Sequence, residues 1–336
     1  MKNNLIKAII LFSGGLDSTL AVRILQKQGI EVEGLNFRTP FGCCREPTHK
    51  IAQELGLKVT YLNLTNDYLR VIENPKYNYG RSVNPCVDCR IHMFRIAKRF
   101  MIETNAHFIV SGEIVGQRPN SQRKDCLKAI ENNSNLQDLI LRPLCAKLLP
   151  PTLPERNGWV NREKLYAFHG RGRRGLIELG KKLGLTQFPT PSIGCLLTDK
   201  NYGSRVRDMW EYQPQPISLR HYELLKIGRH FRLGDHTKII IGKNEKENKK
   251  LKKMALPGMT YLVGENYIGP CVLITSLFNP KSLNEIQTLL TQYIRDIPSK
   301  LKMKKITFDP IQKEECIELP TLIEVGKKLE PIMGLN

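Results

Sequence analysis

The chain has 336 residues, 41% of them hydrophobic, and carries 52 Lys and Arg against 32 Asp and Glu, a formal net charge of +20. That length suits two domains of about 100–200 residues each. No apolar run reaches the roughly 18 residues of a membrane span, so spanning classes are set aside and a cytoplasmic protein is expected. The basic balance implies a polyanionic partner, nucleic acid ahead of a membrane surface, since no basic amphipathic helix with an aromatic face stands out. Nine cysteines, an odd number without a secretory signal, are expected to be thiols, metal ligands or catalytic groups and not disulfides.

In chain order, residues 5–12 read as a strand running into Ser13-Gly14-Gly15. Residues 17–28 read as a helix with Leu20, Ala21, Ile24 and Leu25 on one side and Gly29 as its stop. A strand at 31–37, a helix at 49–55, a strand at 58–62, a helix at 91–104 and a strand at 107–111 follow. This alternation predicts an α/β fold with a doubly wound parallel sheet. Sites in such sheets lie at the carboxyl ends of strands, here the loops 13–18, 38–44 and 111–122. Residues 143–154 read as a connector, 172–183 as a helix, and 187–199 as a loop. The composition shifts at 211–217. The expected organisation is a catalytic domain over 1–210, a smaller α+β domain over 218–310, and an extension over 311–336.

Three segments carry chemistry. Ser13-Gly14-Gly15-Leu16-Asp17-Ser18-Thr19 lies between a predicted strand and a predicted helix. Its glycines let successive N–H groups turn toward an anion, its hydroxyls add donors, and the helix N-terminus adds its dipole. It lacks the Gly-Lys-Ser/Thr of a Walker A loop. Asn84-Pro85-Cys86-Val87-Asp88-Cys89-Arg90 sets a CxxC at a helix start, where the dipole with Arg81 and Arg90 favours thiolates. That pair alone fits a redox, zinc or cluster role, but no second pair has the spacing of a structural zinc site. The third segment is Gly194-Cys195 within 191–199. The vicinal Cys43-Cys44, at a carboxyl edge of the sheet, is a candidate sulfur relay or simply a buried small residue beside an exposed one. Cys126, Cys145, Cys271 and Cys316 have no partners by spacing.

The loop resembles the Ser-Gly-Gly-x-Asp-Ser signature of the PP-loop ATP pyrophosphatases. The resemblance implies ATP cleavage to AMP and pyrophosphate, an adenylated substrate, binding of ATP by Ser13, Gly14, Gly15, Asp17, Ser18 and Thr19, and a part for Asp17 in Mg2+ binding or loop shaping. The Asn-Pro-x-x-x-Cys and Gly-x-Cys-like segments resemble the tRNA 2-thiouridylases, which use two such cysteines, here Cys89 and Cys195. Cys86, where that group often has Asp, is more like the cluster-dependent thiolases. By that resemblance Cys86, Cys89 and Cys195 hold a [4Fe-4S] cluster; the alternative is an iron-free persulfide and disulfide pair of Cys89 and Cys195. Ser111-Gly112-Glu113-Ile114-Val115-Gly116-Gln117 and Leu141-Arg142-Pro143-Leu144 resemble stretches of the 4-thiouridine synthetases, which places Gly112 at the adenylate. Asp88 and Glu113 are candidates for proton transfer. The resemblance covers about 5–210; those synthetases also carry N-terminal RNA-binding modules and differ after Leu144, so the base and position they modify do not carry over.

Residues 218–310 resemble the NFACT-R type of RNA-binding domain, through Gly228-Arg229-His230-Phe231-Arg232, Lys238 to Asn244, Glu247-Asn248 and Leu251. A basic strand pair followed by a lysine-rich helix suits a phosphate backbone. Arg171, Arg173 and Arg174, among glycines, form a second basic loop suited to RNA. The expected enzyme is an ATP-dependent tRNA sulfurtransferase with tRNA or other RNA as partner and a cysteine desulfurase, sulfur carrier or free sulfide as donor. The alternatives are a PP-loop sulfur transferase or ligase acting on a small molecule, and a non-catalytic RNA-binding protein.

Overall fold

A computed structural model describes residues 5–42, 48–186, 194–213, 216–308 and 313–319. The chain divides into two compact units, 1–198 and 199–336. The first unit runs β1 (Lys7–Leu11), α1 (Leu16–Gln26), β2 (Glu31–Arg38), α2 (Thr48–Glu54), β3 (Val59–Asn63), α3 (Asn66–Glu73), α4 (Cys86–Glu103), β4 (Phe108–Ser111), α5 (Lys124–Asn133), β5 (Ile140–Leu141), α6 (Leu153–Arg156) and α7 (Arg174–Lys182). Among the described residues the strands form one five-stranded sheet in the order β3-β2-β1-β4-β5, and every pairing is parallel. The doubly wound α/β reading is borne out. The order reverses between β1 and β4, so the crevice above that pair is the switch point where such sheets bind ligands.

The apolar runs of β1 and β4 are continuous because both faces of the sheet are covered. Ala8, Ile10, Phe12, Phe108 and Val110 join a core with α1 and α7 residues such as Leu20, Leu25, Leu176 and Leu179. Alternation sends Ile9 and Ile109 to the other face, against which α4 packs. All are essentially solvent-free, and each of the Ile, Leu, Val and Phe side chains stabilises the fold by about 1.5–3 kcal/mol. Helices α3 and α5 were not among the predicted elements. Each is short and polar, holding the core through Tyr68, Leu69 and Ile72 or through Leu127 and Ile130.

The second unit contains α8 (Lys200–Tyr212), α9 (Leu219–Leu224), β6 (Arg229–Arg232), β7 (Lys238–Ile241), α10 (Glu245–Met254), β8 (Thr260–Gly264), β9 (Val272–Ile274), α11 (Leu283–Thr291), β10 (Lys302–Thr307) and β11 (Lys313–Glu318). Its strands pair antiparallel in the order β11-β10-β8-β9-β7-β6. The units divide ahead of the composition change at 211–217 because α8 is tied to the second one. Tyr202 donates to the Tyr222 carbonyl at 2.9 Å, buried Arg205 to the Leu225 carbonyl at 2.8 Å, and Asp208 takes Arg232 and Lys238. Within the segment read as an extension, β11 completes the sheet edge beside β10. Among the described residues, no helix is long and apolar enough to cross a membrane.

Candidate active site

The phosphate loop leaves the sheet where Phe12 is still held, its N–H donating to the Leu35 carbonyl at 2.9 Å and its carbonyl accepting from buried Asn36 at 2.7 Å. Gly14 then takes φ +69, and a Cβ there would press on Thr48 at 3.1–3.3 Å, so only glycine turns the chain comfortably. α1 begins with no side-chain cap at Gly15, which leaves its first-turn amides for an anion. The Ser13 hydroxyl accepts from Gly15 N–H at 3.3 Å and lies 3.3 Å from that of Ser18. The sequence reading offered three hydroxyl donors to the phosphates. In the structure Ser18 and Thr19 are buried and both donate to the Gly15 carbonyl at 3.0 Å. They brace the helix start, while Ser13 is the exposed hydroxyl.

The loop after β4 closes on this helix start. A Cβ on Gly112 would sit 2.7 Å from the Asp17 carbonyl carbon and the Ser18 nitrogen, closer than any side chain tolerates. Gln117 donates to the Asp17 carboxylate at 3.0 Å. Burial pushes the Asp17 carboxyl up; the Gln117 hydrogen bond and the positive charges of Arg173 and Arg118 oppose it. Arg173 of the basic loop 170–175 is thus within electrostatic reach of Asp17, and the Gly170 N–H donates to the Val115 carbonyl at 2.8 Å. A charged carboxylate held at a cost beside anion-binding amides is suited to a divalent cation.

Glu113 is not placed for proton transfer. It is wholly buried between Arg90 at 2.9 Å and Arg142 at 3.1 Å. Desolvation by burial raises its carboxyl, but the two guanidiniums outweigh it and hold the value below the ordinary range. Arg142, itself buried, also pairs with Glu131. The stretches 111–117 and 141–144, read separately in the sequence, are thus joined by one ion-pair network, and Arg90 adds the CxxC helix to it. Sequence reasoning missed Arg90 and Arg142 as organisers; an arginine inside an apolar Ile-Leu-Arg-Pro-Leu run was the available signal, since buried charges are paired. Asp88 likewise accepts from the Lys76 and Tyr77 amides at 2.9 and 3.0 Å and shapes the turn ahead of α4.

The CxxC occupies the first turn of α4, starting at Cys86 after Pro85. Both thiols are half-buried, as is Cys195. Cys86 donates to the Ser121 hydroxyl at 3.2 Å, and Cys89 lies 2.9 Å from the Tyr68 hydroxyl. Both cysteines also face Arg90. The Cys195 segment is hydrogen-bonded to this neighbourhood: Leu196 N–H donates to the Phe41 carbonyl at 3.0 Å, and Val83 N–H to the Leu197 carbonyl at 3.2 Å. Sequence places Val83 three residues ahead of Cys86. Cys43, Cys44 and residues 187–193 lie outside the described residues. Among the described residues no three His, Cys, Asp or Glu side chains form a group that could hold a metal ion, Cys86, Cys89 and Cys195 included. Cys145 is a buried core thiol, pushed up to about 11 chiefly by desolvation, and Cys271 is buried as well.

In the second unit, the strand pair gives less positive surface than its sequence suggests. Arg232 and Lys238 turn onto Asp208 at 2.8 and 2.6 Å, and burial brings the Lys238 amine down to about 8. The Gly242–Asn248 stretch is a scaffold: Asn244 caps α10 by accepting from Glu247 N–H at 3.0 Å, and Glu247 accepts from Lys243 N–H at 3.0 Å. Asn248 pins residues 269–271, with its Oδ1 2.0 Å from where a Gly242 Cβ would be. What the scaffold presents is α10, with Leu251 turned inward and Lys246, Lys249, Lys250, Lys252 and Lys253 exposed.

Residues 5–147 match the family described as thiamine biosynthesis protein (ThiI), and residues 228–315 match the NFACT protein RNA binding domain. The chain is 26% identical over 254 residues to "tRNA-specific 2-thiouridylase MnmA 2" of Caldanaerobacter subterraneus, covering 68% of this chain and 65% of that protein. It is 31% identical over 147 residues to "Probable tRNA sulfurtransferase" of Ureaplasma parvum, covering 42% of this chain and 37% of that protein. Among solved structures it is similar to "Crystal structure of a 4-thiouridine synthetase - RNA complex with bound ATP", at 26% identity and TM-score 0.39, over 53% of this chain and 41% of that one. The chain thus spans less than two thirds of these proteins' own lengths. The resemblance read from the motifs is borne out at the level of domains: a ThiI-type domain and an NFACT-type RNA-binding domain occur in this one chain.

Proposed function

We propose that the protein is an ATP-dependent tRNA sulfurtransferase of the cytoplasm, forming AMP and pyrophosphate. One observation carries this reading. The loop after β4 buttresses the phosphate loop through Gly112 and Gln117 and, at its far end, touches the Cys86 thiol through Ser121. Nucleotide and sulfur chemistry thus share one loop at the switch point.

The phosphates of ATP lie on the amides of 13–19, and a divalent cation such as Mg2+ at Asp17 supplies positive charge to the leaving pyrophosphate. A carbonyl oxygen of a uridine or cytidine attacks the α-phosphorus, an O–P bond forms, and the bond to pyrophosphate breaks. The base is then an O-adenylate, whose AMP is a good leaving group. A sulfur nucleophile adds to the activated carbon and AMP departs. Asp17 and Gln117 hold the loop in register, and Glu113, locked by two arginines, fixes the loop and α4 without moving a proton.

Cys86, Cys89 and Cys195 suit a [4Fe-4S] cluster by donor type, two on one helical turn and the third on a segment bonded beside it. When bound, such a cluster with three protein thiolates leaves one iron open to carry sulfur to an activated carbon. In the persulfide reading, Cys89 carries the sulfane sulfur and Cys195 releases it as a disulfide forms. A cysteine desulfurase or a sulfur carrier hands over sulfane sulfur in the persulfide reading, whose Cys89–Cys195 disulfide a thiol reductant then resets; free sulfide serves as donor in the cluster reading alone. α10 supplies affinity for the RNA backbone.

Incubation with ATP and unmodified tRNA is expected to give AMP and pyrophosphate, and tRNA from a deletion strain is expected to lack one thionucleoside by mass spectrometry. ADP and phosphate as the main products would overturn the assignment. AMP formation stimulated by a small acceptor and indifferent to RNA would favour the small-molecule reading.

A further inference from the structure

The RNA-binding unit holds a groove that its charge pattern does not announce. About 660 Å³ in volume, it is lined among others by Tyr212, His236, Gly258, Met259, Ser276 and Leu277. On one wall the rings of Tyr212 and His236 are stacked, centroids 5.4 Å apart and planes 19° from parallel. The Arg232 guanidinium lies over the Tyr212 ring at 4.3 Å. Arg232 is anchored at 3.0 and 2.8 Å by Asp208 and donates to the His236 carbonyl at 2.8 Å, so the ladder of guanidinium and two rings is preorganised.

His236 is exposed and takes φ +64, a conformation a residue with a Cβ adopts at a cost. The turn holds it there: His236 N–H donates to the Leu233 carbonyl at 2.9 Å, Asp235 accepts from Thr237 N–H at 2.9 Å, and Asn279 donates to Asp235 at 2.7 Å. Leu277, which also lines the groove, is 87% exposed. A large exposed aliphatic side chain and a stacked ring pair lining one open groove are unusual for an ordinary surface.

The occupant follows from what adjoins the groove. Helix α10 ends at Met254 with Lys252 and Lys253 exposed in its last turn, and residues 256–258, directly after it, line the groove. A phosphate chain lying on those lysines is delivered to the aromatic wall. A flat, polar-edged, uncharged group linked to a phosphate chain is a nucleobase, and the polar edges of Gln213, Asp235, Thr275 and Asn279 around the groove suit its rim. We propose that this groove is a pocket for an unpaired nucleobase of the bound RNA, stacked at the open end of the ladder on the His236 ring that Tyr212 backs. The proposal rests on the RNA-binding part of the function above and deepens it: the domain distinguishes a flipped or single-stranded nucleotide from a duplex. Aromatic platforms serve this purpose because each base has a π-face to stack.

The test uses the full chain, with fluorescence anisotropy on a single-stranded oligoribonucleotide and on a duplex RNA across a series of salt concentrations. Tyr212→Ala is expected to weaken single-strand binding about five- to a hundredfold, leave duplex binding unchanged, and leave the slope of log K against log salt unchanged. Tyr212→Phe is expected to restore the affinity. His236→Gly, which relieves the backbone and removes the ring, is expected to behave as Tyr212→Ala. The charge-reversal pair Lys252→Glu and Lys253→Glu is expected to weaken both RNAs and flatten the slope. If that pair weakens binding while Tyr212→Ala and His236→Gly do not, the pocket is refuted and RNA binding stands. If neither set changes binding, both are refuted. Equal loss on duplex and single strand for Tyr212→Ala, without rescue by Phe, would mark a folding defect of α8 and refute the pocket.

Discussion

Gly112→Ala tests whether the loop after β4 sets the phosphate loop. The added methyl would lie 2.7 Å from the Asp17 carbonyl carbon and the Ser18 nitrogen and 2.8 Å from the Asp17 carbonyl oxygen. All three are backbone atoms of the α1 first turn and cannot rotate aside. Ordinary carbon contacts are about 3.5–4.0 Å, so loop and helix must part by roughly 1 Å. Overpacking of this kind costs about 1–3 kcal/mol of stability, which the large core below tolerates. The same displacement stretches the Gln117–Asp17 hydrogen bond from 3.0 Å beyond useful length and moves the anion-binding amides. Misplacement by about 1 Å is worth about a hundredfold in rate. The expected result is a folded protein, with a urea midpoint slightly lowered, whose pyrophosphate release falls about a hundredfold. Gly172→Ala, where a Cβ meets nothing within 4 Å and φ is not positive, is the steric control for the urea midpoint, which it should leave unchanged. Wild-type pyrophosphate release by Gly112→Ala would refute the reasoning.

Asp17→Asn should abolish pyrophosphate release and yet stabilise the nucleotide-free protein. The folded carboxyl lies above its ordinary value of 3.8, so ionisation destabilises the fold progressively as pH rises from there through the folded value, and the amide removes that cost. A lowered urea midpoint at neutral pH would contradict it. Glu113→Ala should destabilise by about 3–5 kcal/mol, because it strands Arg142 and Arg90. The folded Glu113 carboxyl lies below 4.5, so its stabilisation is complete above that value and lost as pH falls through the folded one; acid-unfolding curves of the wild type and the variant should converge there. Anaerobic purification should yield a brown protein with about four irons per chain. Cys86→Ala, Cys89→Ala and Cys195→Ala should each lose iron and thiolation together, while a colourless, iron-free protein that thiolates RNA at full rate from a persulfide would leave Cys89 and Cys195 as the working pair.

The sequence by itself determined the elements whose signal is local. The run Ala8–Phe12 followed by Ser13-Gly14-Gly15 needed only its own composition to be a buried strand entering an anion-binding turn, and the strands at 31, 58 and 107 were legible from their own short segments. The CxxC at a helix start and the lysine run over 243–253 were legible for the same reason, since spacing and charge are properties of adjacent residues. Other features are set by residues far apart in the chain, and only the tertiary structure decided them. Ser18 and Thr19 hydroxyls brace α1 instead of facing phosphate. Gly112 is required by Asp17, which follows the neighbouring strand β1 but lies three strands earlier in the chain. Glu113 is neutralised by Arg90 and Arg142, which takes it out of proton transfer. Arg232 and Lys238 are absorbed by Asp208 from α8, so the positive face moves to α10. A side chain's type states what it can bond; the fold decides which partner reaches it first, because a buried charge or donor is satisfied by whichever group the packing brings within hydrogen-bond distance.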